Sequence, residues 1–290
     1  MKQVCRVVRH IHWCGFSIAS ICDALHVSRS SYYAFEKSLS SQRAIEDERL
    51  GDLVTNVFQT HRGRYGARRI SKELARQGET CSRRRAGKLL KTRGLRAIQP
   101  KSYQPKTTES RHGLGFNDNL LLDAESPRRI NQVWVGDISY IALKGGTFAY
   151  MAVLMDLYSR LIIVWNLQRN MKEGLVLSCL RTAIKEREPL PGLVHHTDRG
   201  GQYAGKKYRQ LIKLWKIDQS MSRPDNCYDN AFMESCFGTI KRELEMEVYD
   251  NFKTAGKEIS DYVRYYNKER IHSSLDYQTP EEFEQNTDSK

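Results

Sequence analysis

The chain has 290 residues, a length that allows two domains. Its formal net charge is +13, and 40% of its residues are hydrophobic. It has no apolar run long enough to span a membrane and no segment with the form of a cleaved signal peptide, so we expect a cytoplasmic protein without a membrane partner. Its seven cysteines include no Cys-x-x-Cys pair, which favours neither a disulfide framework nor a four-ligand zinc site.

The positive charge is concentrated in the N-terminal part of the chain. Residues 1–112 contain 23 Lys and Arg against 9 Asp and Glu, whereas residues 113–290 contain 24 against 25. A basic segment joined to a nearly neutral one is typical of a polyanion-binding module attached to a domain with another task. We therefore expect the first part to bind nucleic acid.

Two short helices are predicted within an N-terminal segment, residues 1–40. The first covers residues 17–26 and has an apolar face, and Ser28 is placed to cap a second helix that begins at Arg29. This spacing is typical of a helix-turn-helix, in which the start of the second helix meets DNA. Arg29 is therefore a candidate DNA contact, although a plain helical hairpin has the same pattern.

A more basic helical domain is predicted over residues 41–98. A helix over 67–77 is followed by Ser82, which caps a second helix that ends at Gly94. Few acids lie among the cations of this second helix, so phosphate contact is favoured over a merely solvated basic face. The candidate DNA-binding residues there are Arg83, Arg84, Arg85 and Lys88.

Residues 99–130 are rich in Pro, Gly and polar residues and are predicted to be a linker, with a short ordered piece at 120–122. From residue 131 the pattern changes to strands that are apolar on both faces and then alternate with helices. This pattern predicts an α/β core, residues 131–250, with a mixed five-stranded sheet flanked by helices, and a C-terminal helical extension, residues 251–290. The predicted strands are 132–141, 147–156, 161–167, 192–197 and 217–221, and the helices between them are 172–187 and 205–215.

Three acidic residues are candidates for a functional site in the core. Asp137 lies within an apolar strand, where an unpaired carboxylate is costly to desolvate, and Asp198 ends a strand, where ligand sites of open α/β sheets gather. Glu234 lies on a helix for which Asp229 or Asn230 is the predicted N-cap. Each has an ordinary structural explanation by itself. Converging on one end of the sheet, three carboxylates would suit Mg²⁺ or Mn²⁺ rather than zinc.

Five motifs of the core carry a family resemblance. They are Trp134-Val-Gly-Asp-Ile-Ser-Tyr140, Asp156-Leu-Tyr-Ser-Arg160, His196-Thr-Asp-Arg-Gly-Gly-Gln-Tyr203, Ser222-Arg-Pro-Asp-Asn-Cys-Tyr-Asp-Asn-Ala-Phe-Met-Glu-Ser235 and Tyr266-Asn-Lys-Glu-Arg-Ile-His-Ser-Ser-Leu275. Together with the 35 residues between Asp198 and Glu234, they resemble the OrfB-type transposases of insertion sequence family 3. The resemblance covers nearly the whole chain. Gly136 departs from it, because that family more usually has Thr before the first Asp.

The resemblance implies a ribonuclease-H-like core of the retroviral integrase superfamily with a catalytic triad of Asp137, Asp198 and Glu234. The triad would bind two Mg²⁺, with Mn²⁺ as an alternative, and Lys241 would contact the DNA at the element end. The implied reaction is nicking of that end, followed by attack of the 3′-hydroxyl on another phosphodiester. The implied partners are double-stranded DNA, further copies of the chain on that DNA, and an OrfA-type protein or a frameshifted fusion, in the bacterial cytoplasm at the nucleoid.

Two other functions fit the same residues. One is a DNA-binding regulator or decayed copy with an idle core, against which the intact acidic triad argues. The other is a ribonuclease-H-like nuclease, which would use the same metals but hydrolyse without joining. His195 and His196 lie close to Asp198 in the sequence, and either a supporting role in the site or a structural role at the strand end fits them.

Overall fold

The computed structural model describes residues 2–39, 41–99, 115–122, 124–223, 231–244 and 248–288. The chain divides into two compact units, Met1–Ala97 and Ile98–Lys290. The first unit is helical, and the second has a five-stranded sheet with helices on both faces. None of the helices in the described ranges is both long and apolar enough to cross a membrane.

The first three helices pack around a small apolar core. They are α1 (Lys2–Trp13), α2 (Ile18–Ala24) and α3 (Arg29–Leu39). The hydroxyl of Ser17 accepts a hydrogen bond from the amide N of Ser20 at the start of α2, and that of Ser28 accepts one from Ser31 at the start of α3. The predicted helix pair and the predicted Ser28 cap are therefore confirmed, and Ser17 is a further cap. The core side chains include Cys5, Val8, Cys22 and Tyr32.

Three further helices complete the first unit: α4 (Gln42–Thr60), in which acids outnumber bases, and the two basic helices α5 (Ala67–Arg76) and α6 (Arg83–Thr92). The Ser82 hydroxyl accepts from the amide N of Arg85 at 3.2 Å, which satisfies one of the amides of the first turn of α6. Gly94 follows the end of α6 with a φ of 69°, a conformation that glycine adopts without steric penalty. The predicted start and stop of this helix are confirmed.

The sheet of the second unit has the order β3-β2-β1-β4-β5. The first three strands form an antiparallel meander, and β4 and β5 continue the sheet in parallel with β1. This is the mixed five-stranded sheet that the sequence predicts. The strands are β1 (Val133–Leu143), β2 (Thr147–Asp156), β3 (Ile162–Gln168), β4 (Val194–Thr197) and β5 (Asp218–Met221).

Both faces of the sheet are buried because helices cover each of them. On one face Trp134 packs in a cluster with helices α7 (Glu173–Arg187) and α8 (Lys206–Leu214), and on the other Val135 packs with α9 (Ala231–Glu243) and α10 (Phe252–Lys268). Successive residues of a strand point to opposite faces, so a strand covered on both sides is apolar throughout. A last helix, α11, covers Pro280–Asp288.

Helix α9 packs on the sheet through a single apolar stripe. Met233, Phe237 and Ile240 are buried in the core cluster, as their spacing of three and four residues predicts. Cys236 is buried beside them, and burial raises the pKa of its thiol to about 12, so it is a packing residue rather than a reactive one. The predicted N-cap of this helix, Asp229 or Asn230, lies outside the described residues.

Part of the predicted linker is attached to the sheet. Residues 115–122 form neither helix nor strand, but the Asn117 side-chain amide donates to the Gln219 carbonyl at 3.1 Å. The backbone amide of Met221 donates to the Asp118 carbonyl at 3.2 Å. This segment therefore covers the edge strand β5, whereas residues 100–114 and 123 of the predicted linker lie outside the described residues.

A buried carboxylate organises the turn between β2 and β3. Asp156 accepts hydrogen bonds from the backbone amides of Asn131 at 2.7 Å and of Tyr158 and Ser159 at 2.9 Å each. Burial raises the pKa of Asp156 in spite of these bonds. Because three amides depend on one side chain, the conformation of the turn depends on it too.

We expect Asp156→Ala to lower the free energy of unfolding by about 3 kcal/mol or more, because it leaves two amides of the turn and the amide of Asn131, before β1, without their acceptor. The measurement is urea unfolding of the full chain, with Asp218→Ala, an exposed aspartate of β5, as the matched control. Equal unfolding midpoints for the two variants would contradict this role of Asp156.

Candidate active site

The parallel pairing of β1 with β4 brings two of the predicted acids together. Gly136 of β1 is in register with Thr197, the last residue of β4, so Asp137 within β1 and Asp198 directly after β4 follow side by side. Neighbouring strands lie about 4.8 Å apart. Alternation along β1 places Asp137 on the same face as Val135, which is the face that α9 and α10 cover.

Each of these aspartates accepts a hydrogen bond from a nearby backbone amide. Asp137 accepts from the amide of Ile138 at 2.7 Å, and Asp198 accepts from the amide of Gly200 at 2.9 Å. A Cβ added at Gly200 would lie 3.0 Å from that same oxygen of Asp198, closer than such contacts normally are. Glycine at position 200 therefore allows the loop after β4 to fold back onto the Asp198 carboxylate. Both aspartates are half-buried.

Glu234 lies on the outer face of α9 and is exposed. Gly238, one turn further on, leaves open space where a side chain would begin, and Lys241 follows on the same face after a second turn. Glu234 and Lys241 are thus separated by an open stretch of helix surface. Glu234, Gly238 and Lys241, spaced by four and three residues, therefore lie along one face of α9.

The pKa of Asp137 is affected by the other predicted site residues. The pKa of Asp137 is raised well above its ordinary value, first by burial and then by the negative charge of Asp198, with a further contribution from Glu234. The hydrogen bond from Ile138 and the positive charge of Lys241 act in the opposite direction. The structure therefore brings Asp137, Asp198, Glu234 and Lys241 within electrostatic range of one another.

The donor set of this site fits a hard divalent cation. Its three acids offer only carboxylate oxygens, the ligands that Mg²⁺ and Mn²⁺ prefer, and their like charges already disfavour ionisation of Asp137. In the portion of the chain that the structure describes, no three His, Cys, Asp or Glu side chains are grouped tightly enough to form a ready metal cluster. The chemistry of the donors therefore fits a divalent metal ion, although the described side chains do not form a compact ligand cluster.

Tyr203 is a neighbour of the acidic site that the sequence analysis did not single out. Its side chain is buried, and burial, Asp198 and Asp137 all raise the pKa of its hydroxyl. It lies edge-on to Tyr208 of α8, with the ring centroids 5.5 Å apart. A sequence signal existed, because Tyr203 ends the motif that contains Asp198, but an aromatic residue after a loop is not by itself a sign of a site.

The structure favours the structural role for His195. Its Nδ1 lies 3.3 Å from the carbonyl oxygen of Trp134, which can only accept, so Nε2 accepts from the Tyr208 hydroxyl at 2.5 Å. Burial lowers the pKa of His195 to about 4, which keeps the ring neutral. His196 is also buried, and its Nδ1 lies 2.8 Å from the hydroxyl oxygen of Ser220.

The His195 ring also explains why glycine occupies position 136. A Cβ added at Gly136 would lie 3.0 Å from Cε1 of His195 and 3.6 Å from the methyl carbon of Thr197. A side chain there would require the imidazole, which lies between β1 and α8, to shift by a few tenths of an ångström. Glycine in place of the family's more usual threonine is therefore matched by the His195 ring that packs against it, and Asp137 keeps its position in β1.

The basic residues of the first unit fall into two groups. Arg85 donates to Asp47 at 2.7 Å, and Lys88 lies 3.3 Å from the other oxygen of the same carboxylate. These two cations therefore bind α6 to α4. The candidate DNA-binding residues that are exposed and outside this pair are Arg29, Arg83 and Arg84.

Comparison with known families gives two domains. A family described as "Integrase core domain" matches residues 127–227, and a second family with the same description matches residues 215–280. The family described as "HTH-like domain" matches residues 45–103.

Solved structures similar to this chain include two viral integrase assemblies. The simian T-cell lymphotropic virus intasome in complex with PP2A regulatory subunit B56 gamma has a TM-score of 0.46 and 17% identity, covering 80% of this chain and 74% of that one. The dimeric HTLV-2 integrase catalytic core domain in complex with magnesium has a TM-score of 0.42 and 16% identity, covering 53% of this chain and 97% of that one.

The similarity to curated proteins extends along most of the sequence. The transposase for insertion sequence element IS904 of Lactococcus lactis is 39% identical over 246 residues, which are 84% of this chain and 96% of the relative. The IS600 31 kDa protein of Shigella sonnei is 37% identical over 91% of this chain and 97% of its own length. Transposase InsF for IS3A of Escherichia coli is 33% identical over 94% and 96%, respectively. The chain therefore belongs to the IS3 family of insertion sequence transposases, with an integrase core domain and an HTH-like domain.

Proposed function

We propose that this transposase cleaves a DNA strand at the ends of its element and joins the resulting 3′-hydroxyl to a second phosphodiester. The observation that supports this most directly is the register of β1 and β4, which sets Asp137 beside Asp198 on the sheet face covered by the helix of Glu234. Because Asp137 lies within β1 and Asp198 directly follows β4, the pairing of these strands limits how far the two acids can move apart. Such a fixed group of negative charges is useful for binding cations that activate phosphoryl transfer.

In this proposal the carboxylates of Asp137, Asp198 and Glu234 would hold two Mg²⁺, with Mn²⁺ as an alternative. When bound, such ions activate the attacking oxygen and stabilise the leaving oxygen of an in-line displacement. The chain contributes the positions of the ligands. Two are fixed by strand pairing, and the exposed position of Glu234 leaves that side of the site accessible to DNA.

Lys241 is proposed to bind a phosphate of the element end. It lies on the face of α9 that carries Glu234, with the open surface at Gly238 between them. A DNA strand lying along this surface would bring its scissile phosphate to the acids and a neighbouring phosphate to the ammonium group. Without bound cations the three carboxylates would repel that strand, so metal and DNA binding are expected to be coupled.

The helical unit is proposed to bind double-stranded DNA through exposed cations of two helices, Arg29 at the start of α3 and Arg83 and Arg84 at the start of α6. Positive side chains and free amides at a helix start both favour phosphate. Arg85 and Lys88 remain candidates only if they leave Asp47. We further propose that copies of the chain assemble on DNA, in the cytoplasm, with an OrfA-type partner or as a frameshifted fusion.

Glu234→Gln is expected to reduce strand transfer on the order of 10³-fold or more, because it removes one metal ligand while keeping the size of the side chain. The assay follows joining of a labelled element end with Mg²⁺. The matched control is Glu186→Gln, which changes an exposed glutamate of α7 on the other face of the sheet. Undiminished transfer by Glu234→Gln would exclude the proposed triad, and cleavage without joined products in the unmodified chain would favour a nuclease.

Asp137→Asn is expected to raise the thermal unfolding midpoint of the metal-free chain by about 3 °C or more, because it removes a carboxylate held against like charge. The pKa of Asp137 is raised in the folded chain, so its ionisation destabilises the fold at neutral pH, and the gain in unfolding midpoint disappears below about pH 4.

Mg²⁺ should raise the unfolding midpoint of the unmodified chain and of Asp218→Asn, but not that of Asp137→Asn. Equal stabilisation of all three would contradict metal binding by Asp137.

Replacing Arg83 and Arg84 together by Ala is expected to weaken DNA binding and to reduce the slope of log K against log salt by about 2, since each phosphate contact contributes about 0.9. The comparison is the replacement of Arg181 and Lys185, two exposed cations of α7, which removes the same charge elsewhere. An unchanged slope in the first variant would remove the start of α6 from the DNA contacts.

A further inference from the structure

A buried ion pair connects the end of α9 to the segment after α10. Arg270 and Glu243 are 3% and 4% exposed, and the Nη2 of Arg270 donates to Oε1 of Glu243 at 2.9 Å. The Nε of Arg270 lies 3.1 Å and 3.0 Å from the two carboxylate oxygens, and the Tyr262 hydroxyl donates to Oε2 at 3.0 Å. The carboxylate is therefore bound through both of its oxygens, which restricts its position in all directions.

Arg270 is itself held in place from several sides. Its backbone amide donates to the Tyr265 carbonyl at 2.9 Å, and its guanidinium lies 5.3 Å from the centre of the Tyr266 ring. Its Nη1 donates to Nε2 of His272 at 2.8 Å. Because α10 and the following turn fix the guanidinium, the guanidinium in turn fixes the carboxylate of Glu243.

The position of Glu243 on α9 makes this contact relevant to the candidate active site. Glu243 follows Glu234 by nine residues, which is about two and a half helical turns, or about 13 Å along the axis. The two side chains therefore project from opposite sides of α9, with Glu234 exposed and Glu243 buried. A rotation or axial shift of the helix would move both carboxylates together.

Apolar packing alone fixes α9 less firmly than this ion pair does. Its buried stripe rests on the sheet through non-directional contacts of Met233, Phe237 and Ile240, which tolerate small shifts. A buried ion pair adds little net stability compared with apolar residues of similar size, but it loses its bonds when its geometry changes. The start of the helix has a weaker second contact, with the Arg160 guanidinium 4.9 Å from the centre of the Phe232 ring.

We propose that Arg270, acting through Glu243, is a positioning residue that sets the rotation and axial position of α9 and hence the place of Glu234 at the acidic site. The effect of Arg270 on catalysis rests on the proposed function. The C-terminal segment thus takes part in the site without contacting DNA or metal there. A salt-bridge network of this kind, with both partners buried, also restricts how far α9 can adapt when the site fills.

The test replaces the polar group by apolar residues of similar size, Glu243→Met, Tyr262→Phe and Arg270→Met in one chain. Removal of both charges avoids leaving either of them buried alone, so we expect the unfolding midpoint to stay within a few degrees of the unmodified chain. Amide hydrogen exchange of the metal-free chain should become about tenfold faster or more in α9, and stay unchanged in α7. The Mg²⁺ concentration for half-maximal strand transfer should rise at least about tenfold.

A second buried contact in the same unit supplies the matched control. Arg187 of α7 and Glu284 of α11 form two hydrogen bonds, at 2.8 and 2.9 Å, and neither residue belongs to α9. Replacing both by Met is expected to change neither exchange in α9 nor the Mg²⁺ requirement. Arg270→Lys keeps the charge but loses the planar guanidinium. It should change exchange in α9 and the Mg²⁺ requirement in the same direction as the triple variant, but by less.

The proposal is overturned if the triple variant keeps normal exchange in α9, or if α7 and α9 exchange faster to the same extent, since both results indicate a general structural role. If the triple variant is not folded, normal exchange in α9 of Arg270→Lys overturns it equally. Faster exchange confined to α9, together with full strand transfer by Glu234→Gln, would leave the helix contact standing and refute the proposed function instead.

Discussion

The parallel pairing of β1 with β4 is the constraint on which the rest of the second unit depends. It holds Asp137 and Asp198 at neighbouring positions of adjacent strands, where burial and like charge oppose ionisation of Asp137. The arrangement is unfavourable by itself, because charged groups are normally placed apart or paired with opposite charge. The sheet can hold it because helices cover both faces and the core clusters on either side supply the stabilisation. Functional sites are often the place where a fold accepts such local strain.

Much of this architecture could be predicted from the sequence, since it depends on local patterns. Strand periodicity predicted the sheet, Ser28 and Ser82 marked helix starts, and the positions of the acids on strands and on a flanking helix indicated where they converge. The contacts between distant residues could not be predicted. Nothing near Glu243 indicates that its partner is Arg270, 27 residues later, because which buried charge meets which is decided by the tertiary fold. The role of Tyr262 was missed for the same reason: its apolar neighbours suggest packing, and its hydroxyl binds a carboxylate.

Charge counts were the least reliable guide, because they do not distinguish exposed cations from paired ones. The N-terminal excess of Lys and Arg predicts DNA binding, yet part of it stabilises the helical unit itself. Asp47 forms ion pairs with Arg85 and Lys88. Arg49 forms ion pairs with Glu46 and Glu79. The surface that such a unit offers to a phosphate backbone is therefore smaller than its net charge suggests, and it is concentrated where helices begin.

The attachment of residues 115–122 to β5 has a practical consequence for dividing the protein. An edge strand with unpaired amides and carbonyls is a site at which chains pair and aggregate. Here the segment before the core occupies part of that edge, and the amide of Leu120 also donates to the Ser220 hydroxyl at 2.9 Å. An isolated catalytic fragment should accordingly begin before residue 115 rather than at the first residue of the sheet, since a shorter fragment would expose the edge to its own copies.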